Sequence, residues 1–233
     1  MIFNSVIFSM GKPEDNLYIQ MFLLCAVSIK KKWMLEEDSY IATTDQDTAA
    51  YIQKTFPVLN FVKYVVVPKP KSVYDGMTLK YVLPYIQKVE DVVYVDVDIF
   101  AIRRWRPQLY QDSIVVIPEG LASDQNYCGD MKLEYTYGFT AGMFCYRWGD
   151  KTRIVFDAII NDIQSHPKKY YTLDQPYFNK NLKLGNVLIM DPAVLSGNGN
   201  NNLDRAAGVN CCGEPGDGLF HWNKMLQLYV SLT

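Results

Sequence analysis

The sequence predicts an α/β domain built on a central, mostly parallel mixed sheet flanked by helices, and three observations predict it. Short runs rich in β-branched residues alternate with amphipathic stretches of helical length. Parallel neighbours in a sheet need such helical crossovers between them. Finally, 49% of the 233 residues are hydrophobic, enough to bury one substantial core, and a single domain is expected.

The elements follow in order. Ile2 to Phe8 reads as the first strand, Gly11-Lys12-Pro13 as a turn, and a helix follows in which Leu17, Met21, Leu24 and Val27 recur at helical spacing. Lys30-Lys31-Lys32 is the solvated last turn of that helix, where the helix dipole favours cations. Tyr40 to Thr43 is a second strand, Thr48 to Phe56 a helix closed by Pro57, and Phe61 to Val67 a third strand stopped by Pro68 and Pro70. A helix over Gly76 to Lys88 feeds the apolar run Val92 to Val95. These first hundred residues read as a nucleotide-binding half. The rest is more mixed, as an acceptor half would be. It holds strands at Ile114 to Ile117, Gly142 to Tyr146 and Asn186 to Met190, a helix at Arg153 to Ser165 and a shorter one from about Leu173. Between Ser196 and Gly218 the chain is dense in Gly and Asn, which predicts a long flexible loop.

Charge and cysteine usage narrow the function. With 23 basic and 25 acidic residues and no long run of one sign, there is no broad basic face for nucleic acid. Leu17 to Ile29 is too short and too polar to span a bilayer. Five cysteines (Cys25, Cys128, Cys145, Cys211, Cys212) without metal-ligand spacing fit neither a disulfide framework nor a zinc site, and a reducing, cytoplasmic compartment is expected.

The strongest chemical feature is Val92-Val93-Tyr94-Val95-Asp96-Val97-Asp98-Ile99-Phe100, with two carboxylates spaced i and i+2 at the end of an apolar run. On a strand the two would point to the same side. At the C-terminal end of a parallel strand they face the crevice where open α/β sheets bind ligands, and there they suit a divalent, oxygen-preferring cation. Such an ion bridges phosphate oxygens and neutralises charge on a departing diphosphate.

Here the chain resembles a family. Val93 to Ile99 is similar to the D-x-D strand of GT-A-fold glycosyltransferases, a Rossmann-like group that includes glycogenin and the bacterial lipopolysaccharide galactosyltransferases. Ile7 to Tyr18 resembles that group's first strand and nucleotide-contacting turn, and Gly76 to Tyr81 occupies the place of its basic residue. Phe139 to Met143 looks like its F-N-x-G segment, Leu173 to Asn179 like its D-Q-x-x-x-N segment, and Phe220 to Lys224 like its C-terminal histidine-lysine segment. The resemblance implies Asp96, Asp98 and His221 as ligands of Mn²⁺ or Mg²⁺, and Asp174 and Gln175 as the catalytic pair on the transferred sugar. It further implies donor contacts from Ser9, Tyr18, Lys80, Thr140, Gly142, Trp222 and Lys224. Two departures stand out: Thr140 replaces the asparagine of F-N-x-G, and His221 and Lys224 lie closer together than the family pattern. A weaker likeness to the small sugar transferases of large algal viruses fits action in a host cytoplasm.

The expected activity is transfer of a sugar from a nucleotide diphosphate donor, by default a UDP-sugar, to a glycan or glycoprotein hydroxyl with retention. Asp130 and Glu134 are the bases available to an inverting enzyme. On residues alone, Asp174 equally caps the helix after it, Lys80 equally lies on a solvated helix face, and Tyr18 and Trp222 equally serve as packing aromatics. Two rival activities use the same D-x-D: a haloacid-dehalogenase-like phosphatase and a nucleotide-sugar-forming nucleotidyltransferase. The first is disfavoured because D-x-D follows three strand–helix units and is followed by Phe100. The second is disfavoured because Ser9-Met10-Gly11-Lys12-Pro13 is a poor match to a Gly-rich basic loop.

Overall fold

A computed structural model describes residues 1–165, 170–196, 203–211 and 218–232. Strands and helices alternate as expected through β1 (Ile2–Val6), α1 (Leu17–Lys32), β2 (Ser39–Thr44), α2 (Gln46–Thr55), β3 (Val62–Val66), α3 (Val73–Ile86) and β4 (Asp91–Val95). Then come β5 (Ile99–Ala101), β6 (Ser113–Leu121), α4 (Gln125–Cys128), β7 (Tyr137–Arg147), α5 (Asp150–Ser165), α6 (Gln175–Asn181), β8 (Asn186–Ile189), β9 (Leu195–Ser196), β10 (Gly208–Asn210) and α7 (Gly218–Leu232). The fold is α/β, with a large seven-stranded sheet in the order β3-β2-β1-β4-β7-β6-β8 and a three-stranded sheet in the order β5-β10-β9. β1 pairs with β2, β2 with β3 and β6 with β8 in parallel, whereas β6 and β7 are antiparallel. The large sheet is thus mixed and mostly parallel.

The chain forms two compact units that interleave along the sequence. The first comprises Met1–Pro70, Val95–Arg106 and Ala193–Thr233; the second comprises Lys71–Tyr94 and Pro107–Pro192. Each takes segments from both sides of residue 100.

In the first unit, α1 begins where the Asn16 side chain accepts from the Tyr18 N–H, and it ends with the three lysines in its last turn. Of the expected face, Met21 and Leu24 are buried together with Ile19, Phe22, Cys25, Ala26 and Ile29, whereas Leu17 and Val27 are only half-buried. Asp45 starts α2 by accepting from the Asp47 and Thr48 N–H groups. The buried Asp38 carboxylate is bonded by Arg106 through both oxygens, at 2.7 and 3.1 Å, and faces the amino terminus at 3.2 Å. Burial pushes this carboxyl up, but Arg106, the Leu35 N–H and the amino terminus outweigh it and hold it below its ordinary value.

One expectation is corrected in this unit. Within the Gly- and Asn-rich stretch expected to be a flexible loop, Gly208 to Asn210 forms β10, antiparallel to β5 and parallel to β9, with Val209 buried. The local composition gives no strand signal; pairing with two distant segments supplies one. Residues 197–202 and 212–217 of that stretch lie outside the described residues, as does Cys212.

The second unit has an aromatic core. Phe144 of β7 packs against Tyr94 (ring centroids 5.0 Å apart), Phe178 (5.0 Å) and Tyr81 (5.9 Å), and Phe156 of α5 packs edge-on to Tyr81 and Tyr146. Such pairs add to the burial of the rings themselves. α5 is started from a distance by Asp112, whose carboxylate accepts from the Lys151 and Thr152 N–H groups at 3.0 and 2.9 Å. Desolvation pushes the Asp112 carboxyl up, but these N–H groups, the Thr152 hydroxyl and the Lys151 charge prevail and lower it.

These two carboxylates set an acid limb for stability. Each contribution is fully present above the ordinary carboxyl value of about 4 and is lost as pH falls through the lowered folded value. Asp112→Ala should cost about 1 kcal/mol at neutral pH, the usual worth of a helix cap. The doubly substituted Asp38→Asn/Asp112→Asn chain should lose less stability between neutral pH and pH about 3 than the native chain does. Urea unfolding across that range measures both.

Candidate functional site

The candidate residues fall into two groups, one in each unit. In the first unit, Asp96 and Asp98 do not continue β4. Residues 96–98 form a turn closed by the Ile99 N–H on the Asp96 carbonyl at 3.2 Å, and β5 starts directly after it. The expectation that they share one side of a strand is therefore replaced by a tight turn, because two adjacent carboxylates gain from leaving the apolar ladder. Both are half-buried, while Val97 between them is buried.

The main chain of this turn is held from three directions. The Ser5 hydroxyl of β1 donates to the Val95 carbonyl at 2.6 Å, and it shares a 2.8 Å hydrogen bond with the Tyr40 hydroxyl of β2. The Cys25 thiol of α1 donates to the Asp96 carbonyl at 3.6 Å, and the Cys211 N–H donates to the Asp98 carbonyl at 2.8 Å. Burial pushes the Cys25 thiol far up, and the Asp98 and Asp96 charges add to that. It therefore serves as a neutral hydrogen-bond donor rather than a nucleophile.

α7 brings His221 to this turn. Its Nδ1 lies 3.8 Å from Asp98 Oδ2, and its side chain is only 5% exposed. That separation is too long for a hydrogen bond. Two bonds of about 2.1 Å each reach about 4.2 Å, so the pair can share one ion. Asp98 and His221 could offer such an ion one carboxylate oxygen and one imidazole nitrogen. Among the described residues no three His, Cys, Asp or Glu side chains are placed so that together they could hold a metal ion.

Around the pair, Tyr18 in the first turn of α1 sets its ring edge-on to the His221 imidazole, with centroids 6.1 Å apart. Lys224, one turn beyond His221, donates to the Asn210 carbonyl of β10 at 3.2 Å. Ser9 is buried and donates to the Lys12 carbonyl, closing the turn after β1. Trp222 is half-buried. Behind β5 lies a mainly apolar cavity of about 310 Å³ lined by Val27, Phe100, Ala101 and Tyr229 among others, and none of the candidate residues lines it.

The second unit holds Lys80, Thr140, Gly142, Asp174 and Gln175. Lys80 is no solvated helix residue. It is 4% exposed, with its ammonium 3.1 Å from Asp174 Oδ1, 3.4 Å from the Ala141 carbonyl and over the Tyr94 ring at 5.4 Å. Asp174 stands at the start of α6, but its side chain makes no cap hydrogen bond. Its Oδ1 faces Lys80, and its Oδ2 accepts from the Tyr81 hydroxyl at 2.6 Å. The residue before it, Leu173, adopts φ 55°, a left-handed conformation costing about 1–2 kcal/mol for a side chain of this kind. Thr172 and Gln175 anchor this bend on the Asn126 carbonyl at 2.8 and 3.1 Å.

Gln175 is engaged at its other end too, its Oε1 accepting from the Ala141 N–H at 3.0 Å. Four residues on, Asn179 accepts from the Phe139 N–H and donates to the Phe139 carbonyl, both at 2.8 Å. One side-chain amide thus supplies the two hydrogen bonds that a ladder partner would give β7. Thr140 Oγ1 accepts from the Gly142 N–H at 3.1 Å, so the side chain standing where the family has asparagine is turned onto its own strand. Of the alternative bases, Asp130 accepts from the Tyr170 hydroxyl at 2.5 Å and Glu134 pairs with Lys183 at 2.8 Å.

Sequence reasoning missed Ser5, Cys25, Tyr40, Tyr81 and Asn179 as members of the site's support. Only the D-Q-x-x-x-N spacing carried a signal, for Asn179, since i and i+4 share a helix face. No described helix is long and apolar enough to cross a membrane.

Asn179→Ala leaves a buried N–H and a buried carbonyl of Phe139 without partners and should cost about 2–4 kcal/mol in urea unfolding, the sum expected for two such groups. Asn179→Asp, which keeps an acceptor but loses the donor, should fall between that variant and the native chain. Compared with known proteins, the chain matches no family model and no curated protein.

Proposed function

We propose that the chain is a metal-dependent glycosyltransferase that moves a sugar from a nucleotide diphosphate donor, by default a UDP-sugar, to a hydroxyl of a glycan or glycoprotein with retention. The observation that carries this reading is the Asp96–Asp98 turn at the C-terminal end of β4, with His221 Nδ1 3.8 Å from Asp98 Oδ2. Carboxylates and an imidazole would hold Mn²⁺ or Mg²⁺ there. When bound, the ion supplies the positive charge that a departing diphosphate needs.

The chain's own residues do the rest of the work in this reading. Ser5, Cys25 and the Cys211 N–H fix the turn's carbonyls, so that the two carboxylates vary little in position before a donor arrives. The Tyr18 ring restrains the His221 imidazole. Lys224, tied to Asn210, adds a cation on the face of α7 that carries His221. For Lys80, Asp174, Gln175, Thr140, Gly142, Ser9 and Trp222, the donor and sugar roles rest on the family resemblance. The four described cysteines are all free thiols, which supports a reducing, cytoplasmic setting.

The test is release of nucleoside diphosphate from a panel of nucleotide sugars with Mn²⁺, with Mg²⁺ and with chelator. One donor should be turned over in a metal-dependent way. Asp98→Asn should lower that turnover at least about a hundredfold, the scale for losing one electrostatic stabiliser of a departing anion. Phosphate released from simple phosphoesters, or pyrophosphate from a nucleoside triphosphate and a sugar phosphate, with every nucleotide sugar left intact, would replace this reading with a phosphatase or a nucleotidyltransferase.

A further inference from the structure

The cavity behind β5 is used by none of the candidate residues, yet its lining has a consistent chemistry. It measures about 310 Å³ and is walled by Val27 and Ser28 of α1, Phe100 and Ala101 of β5 and Tyr229 of α7, all within the first unit. An apolar cavity of about half that size takes up benzene, and ligand sites begin at about 300 Å³. Phe100 and Ala101 are buried, and the Ser28 hydroxyl is already engaged: it donates to the Cys25 carbonyl at 2.8 Å and accepts from the Ala101 N–H at 2.9 Å. A sugar or nucleoside would give up hydrogen bonds to water against walls that are mainly apolar. A hydrocarbon chain suits such walls instead. The mouth is different. Lys31 and Lys32 also line the cavity, both are exposed, and neither forms an ion pair among the described residues. Lys30, the third lysine of the turn, is directed elsewhere, with its ammonium over the Phe61 ring at 5.7 Å. A lysine stem lies along apolar surface while its ammonium stays in water, so the two charges mark the open end. The C-terminus of α1 offers them about half a negative charge, which leaves the mouth positive.

We propose that this cavity is a binding site for a single-chain aliphatic anion, a medium-chain carboxylate, whose hydrocarbon lies between α1, β5 and α7 and whose head group meets Lys31 and Lys32. Charge complementarity at the mouth selects the anion, and the apolar walls select the chain. Most of the affinity comes from the chain, since each methylene removed from water changes the dissociation constant about fourfold. The exposed lysines add less, about threefold to tenfold between them, because solvent screens them. They decide the sign of the head group. None of the lining residues is in the Asp96–Asp98 turn, and the site does not rest on the transferase reading.

The experiment is calorimetric titration of the full chain at low salt with octanoate, decanoate and decylammonium, each below its micelle concentration, and with vesicles of phosphatidylserine and phosphatidylcholine in equal parts. Decanoate should bind one to one, about tenfold to twentyfold tighter than octanoate and at least about tenfold tighter than decylammonium. Lys31→Gln/Lys32→Gln, a change on the solvated surface, should remove the preference for the anion and leave octanoate and decanoate as far apart as before. Val27→Phe, which puts a ring into the cavity, should weaken decanoate at least about tenfold, with circular dichroism showing that the chain is folded. Absence of saturable decanoate binding overturns the proposal. Decylammonium binding as tightly as decanoate does so too, since the mouth is then indifferent to charge. Decanoate affinity unchanged in a folded Val27→Phe protein, or an anion preference unchanged in the lysine variant, puts the ligand elsewhere and overturns it as well. Binding to the vesicles alone replaces the site with a membrane-docking surface. Where Val27→Phe fails to fold, the lysine variant decides by itself. Release of nucleoside diphosphate is no part of this readout, so the site and the transferase reading fail separately.

Discussion

Two carboxylates set two residues apart repel each other, and much of the first unit's detail serves to keep them together. Asp96 and Asp98 occupy one turn because their carbonyls, and that of Val95, are taken up by β1, α1 and the residue after β10. Those supports are themselves buried polar groups, which are tolerable only when satisfied. The Ser5 hydroxyl gives its proton to Val95 and shares a hydrogen bond with Tyr40, and Cys25 remains a neutral thiol. The His221 imidazole faces Asp98 at 3.8 Å, and in the proposed reading the two would share the ion.

The second unit solves a different problem with similar means. A buried ammonium and a buried carboxylate each cost solvation, and the cost is offset only when pairing and hydrogen bonds account for their polar atoms. Lys80 and Asp174 meet that condition through Tyr81, Ala141 and the Tyr94 face. Gln175 and Asn179 do the same for β7, whose main chain would otherwise lack partners along this stretch. The buried ion pair and the β7 main chain are thus both served from one short helix, α6, and the residue that starts it.

The regular alternation from β1 to β4 was legible in the sequence because period and punctuation agree there: each apolar run ends at Pro, Gly or a capping residue. β10 was not legible, since Gly208-Val209-Asn210 becomes a strand only when Ile99 to Ala101 lies beside it. α7 was read as a histidine-lysine motif, with no helix expected around it. The D-x-D residues were found by spacing, but their geometry was misjudged, because whether a strand continues or turns is decided by buried partners such as Ser5 and Cys25. Lys80 illustrates the same limit: its depth depends on Asp174, which no local pattern ties to it. Tyr81 had no signal at all, being one aromatic among many until its hydroxyl is seen to face a carboxylate.

The interleaving of the two units bears on biogenesis. The second unit is complete once the ribosome has made Pro192, whereas the first needs Ala193–Thr233 as well. β5 must therefore wait for β10, and Asp98 for His221, while the intervening chain folds. Throughout that interval the Asp96–Asp98 turn lacks the Cys211 N–H that later binds its last carbonyl. A nascent chain halted before α7 would carry the paired carboxylates without the imidazole, so in the proposed reading an ion bound there would have only oxygen ligands until α7 is made.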